Sequence, residues 1–391
     1  APQCLGMLQT AAALLTYSQH DASCTASDRM DGLLQAVDAG AIATLSRILF
    51  TKIDYAAQDK AVGAMKARDA ACRMLTAMFD IARNCDDVVC HGRLWDAVDA
   101  DAYSRNPPRS IVNAALQVLH NAAKQGRLLL AGARRNKGPH FSAAVMDLVE
   151  SSLYAVGSMC GSTVVPGLES TMESVDFVRK PPSEDPTILQ RRRDASAVAC
   201  DILCGAKKSS SLSSAEQDDD AAVLPTMLIG GFGEKTLMAS LRLSLAIAQN
   251  GNLAQHAKLA SSGILVPLAD SLQTAMTAGD QFRFSACLTL LQYVGPHVDA
   301  QHPGGVASVQ AAIRTATSVL QVVGNDDGTQ ALKESCMACL EAWSSNASLW
   351  AAISKDALPS MVLYVKTQCD DDDDANSNSN SNTRAILGAL K

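Results

Sequence analysis

The chain has 391 residues, 48% of them hydrophobic and only 4% aromatic, with a net charge of -7 and a pI near 5.5. That acidic balance argues against a dedicated nucleic-acid binder, because neutralising phosphates takes a surplus of Lys and Arg on the contacting face. No run reaches the roughly 18 consecutive apolar residues of a membrane-spanning helix, and the N-terminus lacks the basic flank of a secretory signal. Abundant Ala and Leu with few aromatics predict closely packed helices rather than sheets.

A first helical pattern runs over 2–19, and a polar break follows. MDGLLQAVDAGAIATLSRILF then carries a glycine step at Gly40 that opens another helix. A long helix is predicted over 60–84, with Met65, Ala71, Met74, Leu75, Met78 and Ile81 on its apolar side. Pro107 and Pro108 set a loop, after which a helix starts at Ser110 as IVNAALQVLHNAAKQG. Arg127, Arg134, Arg135 and Lys137 make a basic connector to a helix over 141–159. Residues 161–186 are irregular, and a charged helix begins near Thr187 with Arg191, Arg192 and Arg193. The stretch at about 206–220 is Ser- and Asp-rich, too polar to repay ordering, and reads as a flexible insertion. Within it Ser213 and Glu216 form either a helix-capping box or an acid-directed phosphorylation site.

The most complete unit is 232–273. Leu237, Leu241, Leu245 and Ala248 recur at helical spacing, and Leu243 and Ile247 widen the apolar arc. A helix apolar nearly all round must be sandwiched between neighbours. Gly251 and Gly263 stand where helices stop, and Pro267 falls in the first turn of the next one. Related steps occur at Asp38-Ala39-Gly40-Ala41-Ile42 and, with Ala in place of Gly, at Asp356-Ala357-Leu358-Pro359, while Ser345-Asn346 mirrors Asn250-Gly251. The C-terminal end reads as an acidic, Asn/Ser-rich linker over 369–383 and a short helix over 384–391.

An LxxLA helix over 241–248, the turn Asn250-Gly251-Asn252, a short helix over 253–260 and the step Gly263-Ile264-Leu265-Val266-Pro267-Leu268 together resemble an armadillo repeat. The resemblance, with HEAT-like irregularity between units, implies an all-α, right-handed α-solenoid over 1–368, of roughly six to eight units on the ~40-residue period of such repeats. It implies a concave groove and a non-enzymatic scaffold or adaptor that binds other proteins or extended peptides, without cofactors, in the cytoplasm or nucleus. The alternatives are a helical-repeat segment of a larger trafficking or cytoskeletal assembly protein, and an enzyme or metal-dependent protein on the same kind of scaffold.

In peptide-binding members of that family the third helix carries a Trp and, four residues later, an Asn that clamps a peptide backbone. Asn121 stands where that Asn would be and Gln117 where the Trp would be, so both are candidate partner contacts. The equivalent stretch near 247–249 offers no Asn, and nuclear-signal binding is not carried over. Arg191, Arg192 and Arg193 are further candidates, for an acidic peptide or a phosphate, although three in a row spread over most of a helical turn.

Other motifs point to no chemistry. Cys85, Cys90 and His91 offer zinc-type ligands without a common zinc spacing or a second cluster. Cys336 and Cys339 are spaced as CxxC but lie inside a helix with no preceding strand. Residues 230–236 have the look of a phosphate loop, but Glu234 occupies the place where Gly must precede Lys-Thr. The cysteines as a group, including Cys72, Cys160, Cys200, Cys204 and Cys287, read as small buried hydrophobes in a reducing compartment.

Overall fold

The computed structural model describes residues 25–55, 58–84, 88–105, 109–132, 138–161, 185–205, 222–229, 231–322 and 327–373. The first helical pattern, Cys85, the basic residues 134–137, the Ser/Asp insertion with Ser213 and Glu216, and the terminal helix expected over 384–391 lie outside them. The described residues are helices and connecting turns, with no strand among them. Internal contacts divide the chain into two compact units, Ala1–Ser262 and Gly263–Lys391. The division falls at the glycine step inside the stretch that the sequence groups as one repeat.

Unit 1 holds α1 (Ala26–Asp38), α2 (Ala41–Phe50), α3 (Gln58–Asn84), α4 (Val88–Tyr103), α5 (Ile111–Leu130), α6 (Pro139–Met159), α7 (Pro186–Leu203), α8 (Val223–Leu228), α9 (Glu234–Asn250) and α10 (Leu253–Ser261). Their ends follow from local chemistry. The Thr25 hydroxyl accepts from the Asp28 N–H and the Asp28 carboxylate answers on the Thr25 N–H, a reciprocal cap. Ser110 caps α5, Asp185 caps α7, and α6 and α7 each begin on a proline. Gly40 and Gly263 sit at φ 77° and 91°, the left-handed region in which a Cβ is strained, so both sequence-predicted steps turn where only glycine turns cheaply.

The packing of unit 1 has a register of three. Among the described helices, alongside contacts between those one and two apart, α1 packs on α4, α4 on α7 and α7 on α10; α2 packs on α5 and α5 on α8; α3 packs on α6 and α6 on α9. Helix α9 shows what this does: every residue from 236 to 248 is buried, as its all-round apolar pattern requires. Ser240 and Ser244 are tolerated there because each hydroxyl donates to a carbonyl one turn back, at 2.7 Å. The core runs through Leu33, Ile42, Met65, Met78, Leu116 and Phe141, with Phe79 and Trp95 edge to face at 5.1 Å.

Unit 2 holds α11 (Leu265–Ala278), α12 (Gln281–Val294), α13 (Pro303–Leu320), α14 (Asp327–Ser344) and α15 (Leu358–Asp373). Here the register is two: α11 packs on α13 and α13 on α15, while α12 packs on α14. Between α12 and α13 lies only a 3₁₀ turn, Gly295–His297. Between α14 and α15 lie a 3₁₀ turn, Ala347–Leu349, one short turn, Trp350–Ala352, and a π turn, Ile353–Ala357. Trp343 is the largest fully buried side chain among the described residues, and its indole N–H donates to the Leu291 carbonyl at 2.9 Å.

Two expectations are corrected in unit 2. The step at Ala357 is not a break: without the freedom of glycine the chain runs helically from the π turn straight into α15. Helix α15 then continues to Asp373, so residues 369–373, expected in the acidic linker, are helical.

Both units use one device to join neighbouring helices. At the end of α9 the Asn250 side-chain amide donates to the Cys160 carbonyl at 2.7 Å and to Ala246 at 3.0 Å, tying the C-terminus of α9 to that of α6. Beyond α14 the Asn346 amide donates to the Pro296 and Val298 carbonyls at 2.9 and 3.0 Å, tying that turn to the one after α12. The sequence match pairs Ser345 with Asn250 and Asn346 with Gly251; the side chain that does the work of Asn250 is that of Asn346, one position along.

No single described helix is long and apolar enough to cross a membrane. The pair α1 and α2, bent by 63°, reaches that mark only jointly, and Leu33, Ile42, Leu45 and Leu49 on it are buried.

Candidate functional site

The two amide residues taken from the resemblance lie on one face of α5. Ile111, Ala114, Leu116, Val118, Leu119 and Ala122 are buried, which leaves Asn113, Gln117 and Asn121 exposed at i, i+4 and i+8. Asn113 was not singled out by the sequence, although its helical spacing from Gln117 shows it. The stripe belongs to the middle member of the row α2, α5, α8.

The three arginines of α7 separate completely. Arg191 bridges Asp96 and Asp99 of α4 at 2.8 and 3.0 Å, so it fastens α7 to α4. Arg192 is 5% exposed and packs over Gly161, where an added Cβ would stand 2.9 Å from its Cδ. Burial, with the neighbouring Arg83, pulls its pKa down to about 9. Only Arg193 is exposed, and it has neither hydrogen bond nor ion pair to a described residue. Of the three candidate contacts that the sequence offers, Arg193 is thus the one left exposed to a partner.

Arg192 belongs to a buried polar group at the ends of α3, α6 and α7. Burial raises the Asp80 carboxyl to about 7, against the opposing pull of Arg83, of a 2.9 Å hydrogen bond from Ser158 and of Arg242. Arg83 is lowered to about 10 by the same burial. His91 is lowered to about 3, first by burial and then by repulsion from Arg192, Arg83 and Arg191. A ring held neutral among three guanidinium groups is a poor place for a cation, which bears on the Cys90-His91 motif. Among the described residues no group of three His, Cys, Asp or Glu side chains is placed to hold a metal ion.

Arg193 opens into a cleft of about 460 Å³ between α7 and the turn joining α9 to α10. Gln190, Arg193, Asp194 and Ala197 form one wall; Gln249, Asn250, Gly251, Asn252 and Gln255 form the other. That second wall is tied by hydrogen bonds. Asn252 and Gln255 cap each other reciprocally at 2.7 and 3.1 Å, and Asn250 is held by its two carbonyls. On the first wall Gln190 donates to Asp194 at 2.9 Å. The cleft joins two features that the sequence shows separately, the arginine run and the Asn-Gly-Asn turn, and no local signal announces their meeting. Gln117 and Asn121 do not line it.

Comparison with protein-family models and with curated proteins finds no match to the chain.

Proposed function

We propose that the chain is a non-enzymatic protein-binding scaffold, an armadillo-like right-handed solenoid whose row α2, α5 and α8 faces an extended segment of a partner protein. The observation that carries this reading is the register of three in unit 1, where each helix stacks on the third one along. Three helices per repeat is the armadillo plan, and the two-helix register of unit 2 fits the HEAT-like irregularity expected beside it. Asn113, Gln117 and Asn121 supply what an extended backbone lacks. Each amide presents a donor and an acceptor together, matching the N–H and C=O that a peptide leaves unpaired. Arg193, in its polar cleft, supplies the contact for an acidic side chain of the same partner.

The test is selection of peptides from a displayed library against the intact chain, then binding measurements on the peptides recovered. Replacing Gln117 and Asn121 together by Ala weakens binding by roughly tenfold to a hundredfold, the cost of two side-chain hydrogen bonds. Both side chains are exposed, so the variant keeps its fold. Unchanged affinity in the folded double variant, or a compact globular scattering profile in solution, overturns the proposal.

A further inference from the structure

Two thiols stand together at the last turn of α7. Cys200 and Cys204 are four residues apart on one helix face, both buried, with their sulfurs 3.9 Å apart. A disulfide needs sulfurs about 2 Å apart and Cβ atoms about 3.5–4.5 Å apart, whereas i,i+4 positions on a helix hold their Cβ atoms about 5–6 Å apart. The backbone must supply the difference, and α7 yields at this point. Cys204 is the C-cap residue, tied back by its N–H to the Cys200 carbonyl at 3.1 Å. The next residue, Gly205, has already left the helix at φ 69°. Closing the sulfurs therefore costs one frayed turn and no interior helix.

We propose that Cys200 and Cys204 are a reversible dithiol–disulfide modification site, oxidised by a hydroperoxide. The Cys200 thiolate attacks the peroxide O–O bond, becomes a sulfenic acid and releases the other oxygen as water. The Cys204 thiol then attacks the sulfenyl sulfur; the S–S bond forms and the second water leaves. Two thiols and one hydrogen peroxide give one disulfide and two waters, the sulfurs together losing the two electrons that the peroxide gains. The order of attack follows from the hydrogen bond between the two thiols, which lowers Cys200 and, joined by burial, raises Cys204. The other closely spaced pair is built differently. Burial raises both Cys336 and Cys339, and the Cys339 thiol donates to the Leu288 carbonyl at 3.3 Å.

The consequence reaches α10. The Cys200 sulfur lies 3.8 Å from the Gln255 carbonyl, and Asp201 on the same turn pairs with Lys258 at 2.6 Å. Drawing Cys200 toward Cys204 loosens both ties, and the Gln255 side chain is the one that caps α10 and faces the cleft.

The experiment treats the intact, reduced protein with a small excess of hydrogen peroxide, alkylates it after denaturation and digests it with trypsin. Peptide 194–207 holds these two cysteines and no others. It is expected to lose two hydrogens and escape alkylation, reversibly with dithiothreitol, at a rate about tenfold or more above oxidation of Cys336 and Cys339. Cys204→Ser halts at a sulfenic acid that dimedone traps on Cys200, and Cys200→Ser yields neither product. A peptide that stays fully alkylated, a disulfide that forms only in denaturant, or a Cys204→Ser protein without the dimedone adduct overturns the proposal.

Discussion

Unit 1 stacks each helix on the third one along, whereas unit 2 stacks each on the second, and the difference lies in what stands between the long helices. In unit 1 full helices, α4, α7 and α10, take that place. In unit 2 it is filled by 3₁₀ and π turns of a few residues. Part of the polar chemistry goes with the inserted helices, the rest lying on α3, α6 and α9. Arg191, Arg192, Arg193, His91, Asp96, Asp99 and the Cys200–Cys204 pair all sit on α4 or α7, while the core of unit 2 is anchored by the indole of Trp343.

Removing the anchor tests this contrast most severely. Trp343→Ala leaves a large cavity and removes one of the two hydrogen bonds that the Leu291 carbonyl accepts, the other coming from the Gly295 N–H, and is expected to destabilise unit 2 by about 3–5 kcal/mol. Hydrogen exchange followed by mass spectrometry reads it as lost protection over α12–α14, with α3 and α6 unaffected. Equal loss in both units would show that the division at Ser262 has no energetic meaning.

The device common to both units comes next. Asn250→Ala strands the Cys160 carbonyl, and Asn346→Ala strands those of Pro296 and Val298, each at an expected cost of about 1–3 kcal/mol. Denaturant melts of the two variants should show losses of similar size. A negligible loss for one of them would break the equivalence.

The smallest effect concerns pH and belongs to unit 1 alone. His91 has a folded pKa well below its unfolded value near 6.5, so its contribution to stability is present above pH 6.5 and is lost as pH falls toward 3. Asp80 has a folded pKa raised from 3.8 to about 7, so its contribution is full below pH 3.8 and is lost as pH rises to 7. Between pH 4 and 6.5 the two slopes oppose each other, each at most about 1.4 kcal/mol per pH unit, and their summed contribution to stability is nearly flat there. Asp80→Asn exposes the His91 slope, with stability falling on acidification, and His91→Gln exposes the opposite one. Urea melts at pH 4.5, 5.5 and 6.5 distinguish them, and identical profiles for the two variants would refute the pairing.

Much of the helix pattern is legible in the sequence, because helix ends are written locally. The helix expected over 60–84 is Gln58–Asn84, that over 253–260 is Leu253–Ser261, and the glycine steps turn at positive φ where predicted. The step at Ala357 misleads because analogy of position does not give alanine the backbone freedom of glycine. The arginine run misleads for another reason. Spacing places Arg191, Arg192 and Arg193 around a turn, but their fates depend on Asp96, Gly161 and Asn250, which are far away in the chain. The Cys200–Cys204 pair is the opposite case: its i,i+4 spacing on a predicted helix already puts both sulfurs on one face.

The Asn250 clamp also fixes an order of events during synthesis. The Cys160 carbonyl leaves the ribosome 90 residues before the amide that closes it. At about 5–20 residues per second that is a wait of roughly 5–18 s with the end of α6 open to water or to any competing donor. In unit 2 the carbonyl of Pro296 waits for only 50 residues. The earlier-made part of the chain is therefore the one exposed longer to mispairing and to capture by chaperones, and an asparagine late in each unit acts as the latch that ends the exposure.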